Sequence, residues 1–271
     1  MDPSDRQLSL TFVGTATTLV RYGGLTLLTD PNFLHRGQYA WLGKGLVSKR
    51  LTDPALRVEE LPELDAVVLS HLHGDHFDRV ARRGLPHDVP ILTTPHARRR
   101  LAGRDGFTDV TGLGVWQSRT LRRGDVQVRV TAAPARHAPE PWQRLLPPVM
   151  GSVWEFGPVG GATAFTLYVS GDTLNVPELR EIPMRHPHVD LAVLHLGGTT
   201  LPGGLVVTMD GVQGADLLQV VEPARAVPVH VDDYGVFCSP LSHFREEVER
   251  RGLGAVVRYV ARGETAVFAP R

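Results

Sequence analysis

The chain has 271 residues, enough for one large domain or two small ones, and 42% of them are apolar, as expected for a globular protein. Its 29 basic and 29 acidic side chains give a formal net charge of zero, which argues against nucleic-acid binding and against an anionic membrane surface as partner. The single cysteine, Cys238, excludes disulfides within the chain and the cysteine-rich zinc classes.

The start of the chain, residues 1–5, is acidic and polar and has neither the positive charge nor the apolar segment of a signal peptide. No apolar run approaches the roughly 20 residues of a membrane span. We therefore expect a cytoplasmic protein without stable membrane insertion. The basic run at residues 98–100 is interpreted as the solvated face of a helix.

The first part of the chain predicts an antiparallel sheet. Residues 8–13, 17–21 and 25–29 are rich in β-formers and are separated by glycines, and the last two segments are expected to form a hairpin. Residues 32–54 show no clear periodicity and contain several aromatic side chains. They are interpreted either as a small satellite core or as a lid over a pocket.

The most informative stretch follows a short apolar run at residues 64–69, which predicts a buried strand. It reads Ser70-His71-Leu72-His73-Gly74-Asp75-His76-Phe77-Asp78, and a helix is expected from residue 77 to 83. A tight strand-to-helix loop can turn the imidazoles and the carboxylate inward together, and these groups bind zinc, iron or manganese. A solvated histidine-rich turn explains the run less well.

Downstream, strands and helices alternate, which indicates α/β layering. The predicted strands are residues 90–93, 107–110, 120–122, 125–132, 152–156, 163–169, 189–194, 225–229, 256–259 and 264–268. The predicted helices are residues 95–101, 177–184, 208–221 and 240–251, with Thr208 or Asp210 as the cap of the third. The proline-rich residues 139–148 are a candidate pocket wall. No linker or repeat is visible, so we predict a single domain over residues 1–271.

More candidate ligands stand just past predicted strands, in Ala135-Arg136-His137, Ser170-Gly171-Asp172-Thr173 and Val227-Pro228-Val229-His230. Strand ends at one edge of a sheet converge, so residues far apart in sequence can share a site. Together with the histidine loop, these motifs resemble, in order, those of the metallo-β-lactamase-fold hydrolase superfamily. The resemblance covers residues 8–230 and implies an α+β fold, a four-layer αββα sandwich of two mixed β-sheets.

The resemblance also implies a dinuclear metal site. Its ligands would be His71, His73 and His137 for the first metal and Asp75, His76 and His230 for the second, with Asp172 bridging the two. Zinc is the first choice, and manganese and iron are alternatives. Two cations about 3.5–4 Å apart hold a bridging hydroxide and polarise the substrate oxygen. Asp75 is the catalytic candidate, which orients the hydroxide and then carries a proton to the leaving group.

Three further residues are candidates for positions behind the ligands or in the substrate pocket. In the superfamily an aspartate at the position of Asp30 reaches towards the ligands, so we expect Asp30 to orient a histidine. His195 also ends a predicted strand and either lines the pocket or is packed in the core. Asp233 follows His230 and is a candidate substrate contact.

Within the superfamily the chain is similar to the compact group of ascorbate-6-phosphate lactonase-like and N-acyl-phosphatidylethanolamine phospholipase D-like proteins. The shared points are Asp30-Pro31, Ala135-Arg136-His137 and Gly197-Gly198, whereas His195-Leu196 and Thr208 depart from the group. We predict an intracellular hydrolase of a lactone, ester or phosphodiester, with a small-molecule or lipid-like substrate and with the oligomeric state open. The alternative is a non-catalytic metal-binding or ligand-sensing protein. A narrow polar pocket would favour a sugar-like lactone, and a wide apolar groove would favour a lipid-like phosphodiester.

Overall fold

The structure, a computed structural model, describes residues 7–43, 45–201 and 203–270. The acidic start of the chain, on which the prediction of no signal peptide depends, lies outside these residues. Across the described ranges, no helix is long and apolar enough to cross a membrane.

The strands, in chain order, are β1 (Leu8–Gly14), β2 (Thr17–Tyr22), β3 (Leu25–Thr29), β4 (Tyr39–Gly43), β5 (Leu46–Lys49), β6 (Ala66–Val68), β7 (Ile91–Thr93), β8 (Val110–Gly112), β9 (Ser118–Arg123), β10 (Val126–Ala133), β11 (Gly151–Pro158), β12 (Phe165–Val169), β13 (Leu191–His195), β14 (Thr200–Leu201), β15 (Leu205–Val206), β16 (Arg225–Val229) and β17 (Thr265–Phe268). The α-helices are α1 (Arg79–Gly84), α2 (Pro95–Gly103), α3 (Glu181–Arg185), α4 (Gly211–Val221) and α5 (Leu241–Arg250). Short 3₁₀ helices lie at Val58–Glu60, Trp142–Leu145 and Pro177–Arg180.

Two large mixed sheets are built from these strands. Among the residues that the structure describes, the first has the order β17-β1-β2-β3-β6-β7-β8 and the second has the order β16-β13-β12-β11-β10-β9. Strands β3, β6, β7 and β8 are parallel neighbours, as are β12, β13 and β16, and the remaining pairs of the two sheets are antiparallel. The small ribbons β4–β5 and β14–β15 stand apart from both sheets.

The sheets pack face to face because alternate residues of their strands are apolar on the inner side. Leu8 and Leu10 of β1 enter the shared core from the first sheet, and Leu191 and Val193 of β13 enter it from the second. Trp154 of β11 is the largest side chain of this core and has no exposed surface.

Helices cover the two outer faces. Val67 of β6 packs on the α1–α2 side of the first sheet. Ala192 and Leu194 of β13 pack against Leu218 of α4 and Phe244 of α5 on the outer side of the second sheet. The layers are therefore helix, sheet, sheet and helix, and the predicted α+β sandwich is confirmed.

Two predicted strands are wrong in detail. Residues 256–259 form no strand in the described part of the chain, and Val257 makes only an isolated bridge to Ala226. The strand predicted at residues 107–110 begins only at Val110, because the Phe107 N–H donates to the Leu101 carbonyl and the Thr108 N–H to the His87 carbonyl, so neither residue pairs with β7.

Two other segments differ because local contacts decide their form. The aperiodic residues 32–54 contain the hairpin β4–β5, in which burial alternates along β4, but the exposed positions carry Tyr39 and Trp41 and so hide the apolar period. Helix α4 begins at Gly211, since the Asp210 carboxylate accepts the backbone N–H of Gln213 and caps it. Thr208 is therefore free for another contact.

The parallel strands place the candidate residues at one edge of the sandwich. The loops after β3, β6, β10, β12, β13 and β16 begin there, and they or the last residue of the strand carry Asp30, His71 to His76, His137, Asp172, His195 and His230. The fold thus gathers residues from both sheets without any insertion.

Replacing Trp154 with Ala should lower the free energy of unfolding by about 3–5 kcal/mol, because it leaves a cavity between the sheets. Chemical denaturation measures this loss. The matched control is Trp41→Ala, in which the removed side chain is 54% exposed. Equal losses for the two variants would contradict the assignment of Trp154 to the core.

Candidate metal centre

Seven histidine and aspartate side chains meet at this edge, all of them buried except the partly exposed His73. Within this set, three groups of residues have ligand atoms that lie within 4.8 Å of one another. The first triad is His71, His73 and His137, and the second is Asp75, His76 and His230. The third group joins Asp172 to His71 and His76. Asp172 therefore lies between the first two triads. The sequence predicted this set, and the fold brings all of it together.

The contacts within the cluster are short. Asp172 Oδ2 lies 3.2 Å from His76 Nε2, and Asp172 Oδ1 lies 3.7 Å from His230 Nε2. His230 Nε2 also lies 3.2 Å from His76 Nε2 and 3.4 Å from Asp75 Oδ2. The ring nitrogens and carboxylate oxygens thus point at a common space rather than away from it.

Backbone carbonyls hold the outward nitrogens of two rings. His137 Nδ1 is 3.0 Å from the oxygen of Val207, and His230 Nδ1 is 3.0 Å from the oxygen of Leu196. A carbonyl only accepts, so each Nδ1 carries the proton and donates it. The Nε2 lone pair of each ring then faces the cluster, as a metal ligand requires.

The imidazoles of the first triad are held neutral. Burial lowers the pKa of His71 well below its ordinary value, and the neighbouring rings of His76 and His73 add to the effect. Burial, followed by the charge of His137, lowers the pKa of His73 to about 3. Burial also lowers the pKa of His137, against the opposing effect of Asp172. Neutral imidazoles can donate a lone pair to a cation.

The second triad is rich in negative charge. Burial alone would lower the pKa of His76, but the charges of Asp172, Asp30 and Asp75 raise it well above its ordinary value. Burial alone would raise the pKa of Asp172, but His230 and His76 lower it. Buried carboxylates this close to one another require compensating positive charge, which a protonated His76 or a metal ion can supply.

Three buried atoms of the cluster without a hydrogen-bond partner in the described ranges indicate that a cation fits there. His137 Nε2, Asp75 Oδ1 and Asp172 Oδ1 are buried and accept no hydrogen bond from the described residues. Buried polar atoms nearly always have a partner, so these lone pairs indicate a ligand. A donor set of imidazoles and carboxylates without thiolates suits zinc, manganese or iron.

Asp30 lies directly behind His76. Its Oδ2 is 3.2 Å from His76 Nδ1 and 3.3 Å from His195 Nε2, and its Oδ1 accepts the N–H of Ser70 at 2.7 Å. Burial alone would raise the pKa of Asp30, but the charge of His76 and hydrogen bonds from His195 and His76 lower it to about 2. The carboxylate can therefore orient the His76 ring.

His195 and Thr208 both support the cluster from outside it. His195 has no exposed surface, and its Nδ1 is 3.3 Å from Ser170 Oγ, so it is packed and does not line the cavity. Thr208 Oγ1 donates to Asp172 Oδ2 at 3.1 Å. Sequence reasoning considered Thr208 as a possible helix cap and as a departure from the related group, but not as a contact of Asp172.

Asp233 is not brought to the cluster. It is fully buried and lies 3.2 Å from Arg50 and 2.8 Å from Arg262. Its Oδ2 accepts the N–H of Thr15 at 2.7 Å, and the Thr15 carbonyl accepts the N–H of His230 at 2.7 Å. Asp233 thus holds the backbone at His230, whose φ of +63° lies in the left-handed region.

Arg50 was missed by sequence reasoning and links the same ion pair to the histidine loop. It donates to Asn32 Oδ1, and Asn32 Nδ2 donates to the carbonyl of Gly74 at 2.8 Å. The Gly74 N–H in turn donates to the Trp41 carbonyl at 2.8 Å. A Cβ at Gly74 would lie 2.7 Å from the Trp41 backbone, so only glycine fits there. No signal in a single sequence marks Arg50, which stands among exposed basic residues.

A cavity of about 910 Å³ opens over the cluster. His73, Asp75, His137 and Asp172 form its floor. The walls come from helix α2, which contributes His96 and Arg100, and from three segments with mainly apolar side chains. The apolar side chains include Trp41, Leu42 and Leu46 of the first hairpin, Trp142, Leu145 and Leu146 of the proline-rich loop, and Leu201 and Leu205 of the β14–β15 ribbon. Residues 32–54 also contribute to a small core of Leu34, Ala40, Leu42 and Tyr234, so both interpretations of this segment apply.

The αββα sandwich and its buried histidine and aspartate cluster define a metal-dependent hydrolase of the metallo-β-lactamase fold. The Beta-lactamase superfamily domain matches residues 26–231. The chain belongs to this superfamily.

Individual relatives agree with this assignment. The chain is 28% identical over 202 residues to N-acyl-phosphatidylethanolamine-hydrolyzing phospholipase D 1 of Caenorhabditis elegans, which covers 72% of this chain and 55% of the relative, so the chain spans about half of that protein. It is 30% identical over 203 residues to a UPF0173 metal-dependent hydrolase of Deinococcus radiodurans, covering 74% of this chain and 78% of the relative. The crystal structure of isothiocyanate hydrolase from Delia radicum gut bacteria is similar in fold, with a TM-score of 0.80 at 22% identity over 95% of this chain and 98% of the other.

Replacing Asp233 with Asn should lower the free energy of unfolding by about 3–5 kcal/mol, because Arg50 then keeps a buried charge without its partner. Thermal or chemical denaturation measures the loss. The control is Asp232→Asn, whose carboxylate is 65% exposed and 3.4 Å from Arg262, and which should change stability by less than about 1 kcal/mol. A stable Asp233→Asn variant would contradict the anchoring role.

Proposed function

We propose that the hydrolase has a dinuclear centre. His71, His73 and His137 hold the first ion, Asp75, His76 and His230 hold the second, and Asp172 contacts both. The observation that carries this proposal is the position of Asp172 between two triads whose unpartnered atoms face one space. Zinc is the first choice, with manganese or iron as alternatives. When bound, such ions lower the pKa of a water molecule and polarise the bond to be cleaved.

The protein's own groups divide the remaining work. Asp75 reaches the cavity floor with a free Oδ1, so it can hold the attacking water in place and later deliver a proton to the leaving group. Asp30 keeps the His76 ring oriented, and Thr208 does the same for the Asp172 carboxylate. Positioning by these outer contacts fixes the cluster before substrate binds.

The cavity favours a substrate with a long apolar part. Its walls are mostly leucine, proline and tryptophan, and its volume of about 910 Å³ is near the upper end of ordinary ligand pockets. A small sugar-like lactone would leave most of this apolar surface in water. We therefore propose an ester or phosphodiester with a lipid-like chain, in keeping with the name of the phospholipase D relative.

The pairing of the terminal strands and the state of the cysteine bear on the domain organisation and on the cellular location. We propose a single domain over residues 1–271, because the first and last described strands pair in one sheet and share one core. We also propose a cytoplasmic enzyme, since its one cysteine is exposed and unpaired, as is usual where thiols stay reduced.

Removing the metal should abolish hydrolysis, and returning it should restore hydrolysis. The test uses chelator-treated protein with three substrates, a long-chain 4-nitrophenyl ester, bis(4-nitrophenyl) phosphate and an aliphatic lactone. Zinc, manganese and iron are added back separately, and metal content is measured by mass spectrometry. Two ions per chain with recovered turnover are expected. Metal uptake without turnover on any substrate would favour the non-catalytic alternative.

Replacing Asp172 with Ala should reduce turnover at least about a hundredfold, because it removes the contact shared by the two triads. Metal content should fall together with activity, while the circular dichroism spectrum stays that of the folded wild type. Asp125→Ala, at an exposed hairpin turn, is the control and should match the wild type in both readouts. Full metal content and turnover in Asp172→Ala would overturn the proposed centre.

A further inference from the structure

We infer that the cavity contains an anion-binding subsite, formed by Arg100 and His96 of α2, which holds a negatively charged group of an amphiphilic substrate. This inference rests on the proposed function and specifies its substrate class. The cavity walls bind the apolar chain, the cluster acts on the scissile bond, and the subsite takes a carboxylate or phosphate elsewhere on the molecule.

The described ionisable side chains of the cavity wall outside the cluster are all of basic type. Apart from His73, Asp75, His137 and Asp172 of the cluster, the ionisable side chains that line the cavity in the described ranges are His96, Arg100 and Arg144. All three are basic types. Arg144 is 82% exposed and lies 3.5 Å from Glu140, so it adds little by itself. The wall above the cluster therefore favours anions through α2.

Helix geometry puts the two groups of α2 side by side. His96 and Arg100 are four residues apart, so their side chains lie on the same face of the helix, one turn apart. The neighbouring arginines differ, because Arg98 Nε donates to the Val110 carbonyl at 3.0 Å and Arg99 is exposed outside the cavity lining. Of the basic run at residues 98–100, only Arg100 lines the cavity.

Arg100 has no carboxylate of its own. Its Nε makes no hydrogen bond within the described part of the chain and lies 3.8 Å from Asp105 Oδ2. Arg82 Nε lies closer to the same oxygen, at 3.3 Å. One carboxylate is thus shared by two guanidinium groups, which leaves net positive charge at the cavity wall. A partly buried guanidinium in this state binds carboxylate or phosphate through charge-assisted hydrogen bonds.

The test measures binding, so it does not depend on turnover. Trp41 and Trp142 line the cavity, so their fluorescence reports a ligand that enters it. Metal-loaded wild type, Arg100→Gln and the matched control Arg99→Gln are each titrated with decanoate, decyl phosphate and decanol. We expect Arg100→Gln to weaken binding of the anions about ten- to a hundredfold and to leave decanol unchanged, as the loss of one charge-assisted contact implies. Arg99→Gln should bind all three probes like the wild type.

Each outcome decides the inference. If only one of the two anions responds to Arg100→Gln, the subsite is supported and its headgroup class is identified. Equal anion affinity in Arg100→Gln and wild type would overturn it, because the anions would then bind at the metals or through their chains alone. An equal loss in Arg99→Gln would also overturn it, since the effect would be one of surface charge. Failure of the proposed hydrolysis would instead appear in the metal-return experiment, with binding intact.

Discussion

The convergence of buried carboxylates and imidazoles at one sheet edge is the constraint on which the rest of this structure depends. Asp30, Asp75 and Asp172 surround His76 at distances that burial would make costly without a cation. The fold accepts this arrangement because parallel strands from both sheets end at the same edge. The hydrogen bonds around the cluster then hold in place carboxylates that would otherwise repel one another.

The outer contacts explain how that arrangement is kept. Backbone carbonyls fix the tautomers of His137 and His230. The Thr208 hydroxyl contacts Asp172, and the Asp30 carboxylate contacts His76. A second, separate charge network, centred on Arg50 and Asp233, secures the loops rather than the ligands. The cluster is therefore held by contacts made outside its own ligand set, while the walls of the cavity above it are mostly apolar.

Most of the strands and the meeting of the candidate ligands at one edge could be predicted from local patterns, whereas the four-layer sandwich was predicted from the resemblance to the superfamily. Apolar runs such as residues 64–69 mark strands, and histidines directly after them must lie at the sheet edge. The contacts of Arg50 and the position of Asp233 could not be predicted, since they depend on the path of loops that carry no periodicity. The strand expected at residues 107–110 failed for a related reason, because backbone hydrogen bonds of Phe107 and Thr108 to the Leu101 and His87 carbonyls overrode the local β-propensity.

The hairpin β4–β5 is held to the histidine loop by a backbone contact, while side chains of the same hairpin line the cavity. Arg50 anchors one end through Asn32 and Asp233, and the Trp41 backbone grips the histidine loop at Gly74. The side chain of Trp41, by contrast, lines the cavity and is 54% exposed. A change of this side chain can therefore alter the cavity wall while the backbone contact to the histidine loop stays in place. One short segment of chain thus shapes the cavity through its side chains and supports the cluster through its backbone.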